Sequence, residues 1–378
     1  MRITFVLPVA CFYPVGGYRV VYEYANRLAD RCHQVSVILP RDLIAIPQPK
    51  NPYHRLRRIQ ARYKDVFFPP RVDWHPIGRR VRMLFVPDLQ RRYFPDADAV
   101  FATAWETASP VLNLPRSKGV KFYLIQHYET WDGSKDKVDA TWLFPMHKVV
   151  ISQWLCDIGR RLGCEEVRRI PNGIDHNRYR LLHPISSRPK RVAMVFHQAD
   201  WKGCPDGLRA LGIVRNQHPD LRVALFGTPQ RSDSIPEWVE YFQNPPQEEI
   251  VNGIYNGSSI YLCSSWAEGF GLPPAEAMAC GCAVASTDCG GVREFAEHEV
   301  TALLSPPRDP EALARDVNRL LDDDALRQRL AAAGQERIQS FTWERSADQL
   351  EQFIRRHISP EARSVAGAAV PDFPETLR

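Results

Sequence analysis

Residues 3–39 read ITFVLPVACFYPVGGYRVVYEYANRLADRCHQVSVIL. Ile3 to Val9 is an apolar run, and Gly16-Gly17 makes a turn. Val20, Val21, Tyr24, Ala25 and Leu28 then recur at helical spacing, and Val35 to Leu39 is a second apolar run. Strand, glycine turn, helix and strand make a βαβ unit, and the right-handed crossover rule makes its strands parallel. Strands this poor in polar residues suit a sheet covered by helices on both faces.

The same rhythm continues outward. Val81–Val86, Ala99–Ala102, Lys121–Ile125 and Lys148–Ile151 read as strands. Ser152 is placed to cap a helix through Arg161, which Gly163 stops. Arg169 to Asp175, with Pro171, Asn172 and Gly173, is a turn cluster. Leu181 to Pro189 is polar and bears prolines, and it reads as a linker. A second α/β series starts at Arg191, with strands at Val192–Phe196, Arg222–Phe226, Ser259–Cys263 and Ala283–Ser286. Asp309 before Pro310 and Thr342 before Trp343 read as caps of two late helices. The expected organisation is a first domain over 1–175, a second over 186–342, a helix over 343–358 returning to the first, and a disordered tail over 359–378. Open α/β sheets bind ligands at the carboxyl ends of their strands. If two such edges face each other, the site is the cleft between the domains.

Composition agrees. At 378 residues, 44% hydrophobic and 25% charged, the chain suits about two globular domains and excludes disorder as its main state. No run of about eighteen apolar residues is present, so no spanning helix is expected. The opening residues read as a strand and not as a secretion signal, because two prolines interrupt them and a glycine pair follows. The nine cysteines form no C-x-x-C pair, which argues against structural zinc and for thiols in a reducing compartment. Net charge is only +5, but residues 50–92 hold twelve Lys/Arg against three Asp/Glu, interleaved with Tyr53, Tyr63, Phe67, Phe68, Trp74 and Phe85. Such a segment suits an anionic membrane surface or an anionic substrate, or else is a solvated face. Nucleic acid is not an expected partner, since no recognition motif accompanies it.

The stretch 264–281, SSWAEGFGLPPAEAMACG, carries the chemistry. A strand ends near Cys263, a glycine loop follows, and Pro273 or Pro274 suits the first helical turn. The amides of Phe270, Gly271 and Leu272 therefore lie near a helix N-terminus, a ready anion site. Glu268 and Glu276 bracket the loop, and carboxylates accept hydrogen bonds from paired hydroxyls. A ligand with both phosphate and sugar hydroxyls fits this arrangement, although Glu276 taken alone is equally placed to favour the helix dipole. Gly290-Gly291, after the next strand, reads as a second glycine turn and helix start, and two such loops on adjacent strands point to one polyanionic ligand bound by both. Lys202-Gly203 follows the first strand of the second half, where a lysine can neutralise a phosphate. Asp322-Asp323-Asp324 reads as a loop and helix cap, so no metal site is expected.

Glu268-x7-Glu276 around Gly-Phe-Gly-Leu-Pro, Pro171 to Asp175, Lys202-Gly203, Gly290-Gly291 with Glu294, and Phe341-Thr342-Trp343 together resemble the family-4 group of retaining glycosyltransferases. Gly16-Gly17 near the start is similar too. The likeness covers about 1–40 and 148–358. It implies a GT-B fold, α/β, with two facing Rossmann-like doubly wound domains and an interdomain cleft. It implies a nucleotide-diphosphate sugar as donor substrate, with no further cofactor and no metal. Carried over by position, Glu276 would hold the ribose, and Glu268 with the Phe270–Leu272 amides would hold the sugar and diphosphate. Lys202 would neutralise the leaving group, residues 241–246 would meet the base, and Gly17 would approach the phosphate. His127, with Gln126 beside it, would face the reacting sugar, and Glu129 and Trp131 would line the acceptor side. The leaving phosphate oxygen would itself take the acceptor's proton, so no protein nucleophile is implied.

One departure matters. His197 stands where the family usually has an arginine, leaving the diphosphate to Lys202, the loop amides and, as an imidazolium, His197. The function expected is sugar transfer to a glycan or lipid-linked acceptor in cell-envelope polysaccharide biosynthesis. The expected place is the cytoplasm, with 50–92 in peripheral contact with the anionic membrane face. The alternatives are glycosylation of a small-molecule natural product and a non-catalytic sugar-nucleotide binder. A sugar-nucleotide epimerase on the same fold is disfavoured by the two-glutamate loop.

Overall fold

The computed structural model describes residues 1–43, 72–131, 133–164 and 166–359. The chain divides into two compact units. The first takes the described parts of Met1–Val150, Cys156–Ile170 and the chain from Ala347; the second takes Ile151–Leu155 and Pro171–Ser346.

Among the described residues the first unit holds β1 (Arg2–Val6), β2 (Gln34–Pro40), β3 (Val81–Val86), β4 (Ala99–Ala102), β5 (Val120–Ile125), β6 (His147–Val150) and β7 (Val167–Arg169). They form one parallel sheet in the order β3-β2-β1-β4-β5-β6-β7. The βαβ unit is present as read. Helix Gly16–Asp30 joins β1 to β2 and buries Val20, Val21, Tyr24, Ala25 and Leu28. No glycine follows this helix, and Cys32 takes the left-handed conformation at φ 63° instead. The first strand is shorter than its apolar run, since the chain turns where Tyr18 Oη donates to the Val9 carbonyl at 2.7 Å.

The second unit holds β8 (Arg191–Val195), β9 (Arg222–Gly227), β10 (Glu240–Gln243), β11 (Ile260–Cys263), β12 (Ala283–Thr287) and β13 (Leu303–Ser305), all parallel in the order β10-β9-β8-β11-β12-β13. Its core packs Val192, Met194, Leu225, Ile260, Leu262 and Ala285 against Leu313, Val317, Leu320 and Leu330 of the late helices. In both sheets the strand order reverses about the first strand, between β1 and β4 and between β8 and β11. Ligand sites of doubly wound sheets lie at the carboxyl ends of such strand pairs.

Three strands carry no sequence signal. β7 and β13 have three residues each, too short for a period, and β10 is polar at both ends; all three lie at sheet edges. The segment expected as a linker is docked instead. Leu182 N donates to Asn256 Oδ1, and Arg188 is buried with its guanidinium on the carbonyls of His183, Tyr255, Ser258 and Cys280 and on Asn256 Oδ1. Arg188 anchors the segment in this way, while most of its other residues stay exposed.

The cap at Ser152 is also corrected. Its hydroxyl is buried without a hydrogen-bond partner, and Glu294 Oε1 takes the Gln153 amide at the start of helix Gln153–Arg161. Asp309, Asp323 and Thr342 cap as expected, accepting from the amides of Ala312, Leu326 and Arg345. Asp324 pairs with Lys190 and Arg327. The turn at Pro171 to Asp175 packs on Thr342-Trp343 in the second unit: a Cβ on Gly173 would run into the Trp343 amide, and Ile174 N donates to the Phe341 carbonyl at 3.0 Å. All nine cysteines are free, and all but Cys32 are buried.

Candidate active site

In the second unit the loops after β8 and β11 meet at the strand-order reversal. The β8 loop ends in a short turn, Asp200–Lys202, after which Gly203 at φ 56° opens helix Cys204–Gln217. Only glycine fits at this point, because a Cβ there would strike the Ser264 carbonyl. Trp266 N donates to the Trp201 carbonyl and Ser264 Oγ to the Lys202 carbonyl, so the two loops are tied.

Lys202 Nζ lies 2.7 Å from Glu268 Oε1. Burial opposes the lysine's charge, but the Glu268 carboxylate more than offsets that and raises its pKa. Ser265 Oγ donates to the same oxygen, also at 2.7 Å, and Thr287 Oγ1 donates to the Ser265 carbonyl. Ser265 and Thr287 support the candidate carboxylate from within the quoted motif and the next strand. Nothing in their type or spacing marks them, since serine and threonine are common at strand ends.

Beyond Glu268, Gly271 takes the left-handed conformation (φ 90°, ψ 61°) and precedes helix Leu272–Ala279. Pro273 and Pro274 carry no amide hydrogen, so the donors at this helix start are few and defined. The amides of Phe270, Gly271 and Leu272 have no acceptor among the described residues. The Phe270 side chain is buried against Phe295 and Phe341, which anchors the loop. Glu276, one turn further, is 5% exposed, and Tyr255 Oη donates to its Oε2 at 3.4 Å. Tyr255 ends a π-helical turn, Ile250–Tyr255. The Tyr241 ring packs edge-on against Phe196, and its hydroxyl donates to the Pro229 carbonyl at 2.6 Å.

Two expectations change here. Gly290-Gly291 starts a helix as expected, but only a single 3-10 turn, Gly291–Glu294, with Gly290 at its N-cap. The Gly291 amide donates to the Glu268 and Cys289 carbonyls, so it is not offered to a phosphate. Both glycines serve close packing. A Cβ on Gly291 would stand 2.5 Å from Gly269 and Phe270 backbone atoms, and one on Gly290 would enter the Trp154 ring. His197 reaches solvent along one edge, while its Nδ1 turns inward and accepts the Ala199 amide at 3.0 Å, which requires that nitrogen to be unprotonated. Partial desolvation of the ring by the surrounding loop, and then the Lys202 charge, push its pKa down. Both observations favour the neutral imidazole over the expected imidazolium.

Gly17 and His127 belong to the first unit. Gly17 lies in the first turn of its helix, with the Gln126 carboxamide 3.4 Å from where a Cβ would stand. His127 follows β5, and Trp131 packs edge-on against its ring at 4.3 Å. Glu129, expected on the acceptor side, accepts the Trp105 amide at 2.9 Å and so caps helix Trp105–Leu112. Of the basic segment, 50–71 lies outside the described residues. In the rest, Arg79, Arg80, Arg82, Arg91 and Arg92 are exposed, while Trp74 packs on Tyr22 and Phe85 on Phe12.

Residues 15–178 match the model described as Glycosyltransferase Family 4, and residues 177–337 that of Glycosyl transferases group 1. The D-inositol 3-phosphate glycosyltransferase of Corynebacterium diphtheriae is 31% identical over 182 residues. That match takes in 44% of this chain and 42% of the relative, so the chain spans less than half of it. Sucrose-phosphate synthase from Thermosynechococcus elongatus superposes with a TM-score of 0.70 at 20% identity, over 94% of this chain and 98% of that one. Anabaena HepE, solved in complex with UDP-glucose, gives 0.69 at 17% over 94% and 100%. These likenesses show the fold, two Rossmann-like α/β units of the GT-B class. Matched in chain order from residue 15 to 337 by the two models, the chain belongs to the family-4, or group 1, glycosyltransferases.

Proposed function

We propose that the protein is a retaining, metal-independent glycosyltransferase that moves a sugar from a nucleotide-diphosphate donor to a glycan or lipid-linked acceptor. The observation that carries this reading is the β11 loop. Glu268 and Glu276 flank a left-handed glycine and a helix start whose amides have no other acceptor, with Lys202 beside them. Lys202 and the Gly271 and Leu272 amides would meet the charge that develops on the leaving diphosphate. Glu268 would accept from sugar hydroxyls and Glu276 from ribose hydroxyls, and His127 would face the reacting sugar. Positioning and leaving-group stabilisation would supply most of the rate gain.

The UDP-glucose complex of HepE supports a uridine donor as the first to try. The exposed arginines between 79 and 92 support an anionic acceptor or membrane face in cell-envelope polysaccharide assembly, with the protein in the cytoplasm.

The test is a thermal-shift screen against UDP, GDP, dTDP, ADP and CDP sugars, on the wild type and on Glu276→Ala. A ligand that binds only the native state raises its melting temperature by mass action. One nucleotide sugar stabilising the wild type, and the variant less, is the expected result. No shift with any of them would refute the donor site. Retention is tested by the anomeric configuration of the product, and an inverted product would refute it.

A further inference from the structure

The reading above assigns Lys202 and Glu268 to different parts of the donor, yet the two are bonded to each other. Lys202 Nζ and Ser265 Oγ both reach Glu268 Oε1 at 2.7 Å. The backbone under that carboxylate is clamped on both sides. The Glu268 amide donates to the Cys289 carbonyl at 2.8 Å, and its carbonyl accepts from Gly291 at 3.1 Å. The Glu268 side chain is 11% exposed and the Lys202 side chain 22%. At that burial solvent screens the pair weakly, so each charge stabilises the other.

A diphosphate that takes Lys202 must compete with Glu268. Once Lys202 turns to the phosphate, Glu268 loses its counter-ion and faces a second anion across a partly buried site. Sugar hydroxyls relieve this, because they donate hydrogen bonds to the carboxylate and bring no charge. A bare nucleoside diphosphate keeps its ribose hydroxyls at Glu276 and brings none to Glu268. Its terminal phosphate also ionises a second time near pH ~6, which adds repulsion.

Resting on the donor-site reading, we propose that the Lys202–Glu268 pair is a discriminating latch: it admits a nucleotide-diphosphate sugar and disfavours the bare nucleoside diphosphate. Ser265 is its positioning residue, holding the carboxylate oxygen that Lys202 shares. The latch works in both directions of the cycle. After the sugar leaves, Glu268 recovers Lys202 and weakens the hold on the nucleotide product.

The experiment is calorimetric titration of UDP and UDP-glucose, or of the pair that the thermal-shift screen selects, into the wild type, Glu268→Gln and Glu268→Asp. Glutamine keeps the shape and the Ser265 contact but removes the competing charge. Glu268→Gln is expected to bind the bare diphosphate about tenfold more tightly than the wild type, ~1.4 kcal/mol. Its preference for the sugar nucleotide falls by at least the same factor. Glu268→Asp, which withdraws the carboxylate by one methylene, falls between the two and supplies the reading if the glutamine variant fails to fold. Product inhibition by the bare diphosphate should strengthen in the same order. If the wild type binds nucleotide but neither variant tightens on the bare diphosphate, the latch is overturned while the donor site stands. If the wild type binds none of the five nucleotides, both fall.

Discussion

Protonation of His147 should unseat the C-terminal helix. His147 opens β6, and its ring stacks on His357 of helix Trp343–Ile358 at 3.8 Å, with Phe353 and Phe122 around them. Burial, then His357 and Lys148, push the His147 pKa down to about 4. Burial and Arg356 lower His357 as well, against a smaller opposing pull from Glu166. Unfolded, a histidine titrates near ~6.5. Between those values the unfolded chain binds more protons, so stability is full above ~6.5 and falls as pH drops toward 4. At about 1.36 kcal/mol per unit the ceiling is ~3 kcal/mol, of which roughly 2 is lost by pH 5.

His33, ion-paired with Glu351 on the same helix and also lowered by burial, titrates in the same direction. Glu351 itself, held down to about 2 chiefly by its Arg355, Arg31 and His33 bonds against burial, matters only at lower pH. His147→Phe separates these effects, because it keeps an aromatic ring in the stack and removes one titration. Melting followed from pH 7.5 to 5, with hydrogen exchange on residues 343–358, should show the wild type losing about 4–8 °C more than the variant. Parallel lines for the two proteins would refute the argument.

Three further outcomes follow from packing. Gly291→Ala puts a methyl against the Gly269–Phe270 backbone, where no flexible side chain can yield. It should cost about 1–3 kcal/mol and at least tenfold in donor affinity, and unchanged binding by titration would show that the loop can shift. Arg188→Met removes a buried cation that donates to several carbonyl-type oxygens and to the Cys282 sulfur, and leaves several of those oxygens unsatisfied. A loss of about 3 kcal/mol in urea unfolding is expected, and less than 1 would mean water replaces it. Tyr255→Phe keeps the buried ring but removes the hydroxyl on Glu276. The donor KM should rise about fivefold, ~1 kcal/mol, with kcat and melting temperature held, and a fall in kcat alone would contradict the assignment.

Much of the site could be read from sequence because its parts are local. A glycine that must be left-handed, prolines that remove amides and a carboxylate on each side of them fall within nine residues, Glu268 to Glu276. His197 misled because its role depends on the Ala199 amide that folds back onto it. Glu294 was noticed only as part of a motif, and its work, holding the Gln153 amide, spans more than a hundred residues.

The sequence by itself determined the two α/β units, since period and strand composition are local properties that each segment carries alone. It also determined which loop brings a left-handed glycine and a helix start between two carboxylates. Only the tertiary structure decided how those groups are engaged. Lys202 meets Glu268, and Glu268 meets Gly291, because strand order β8-β11-β12 brings three separate loops to one sheet edge. Charge pairing and amide satisfaction depend on distances of a few ångströms between those loops, and chain spacing does not encode them.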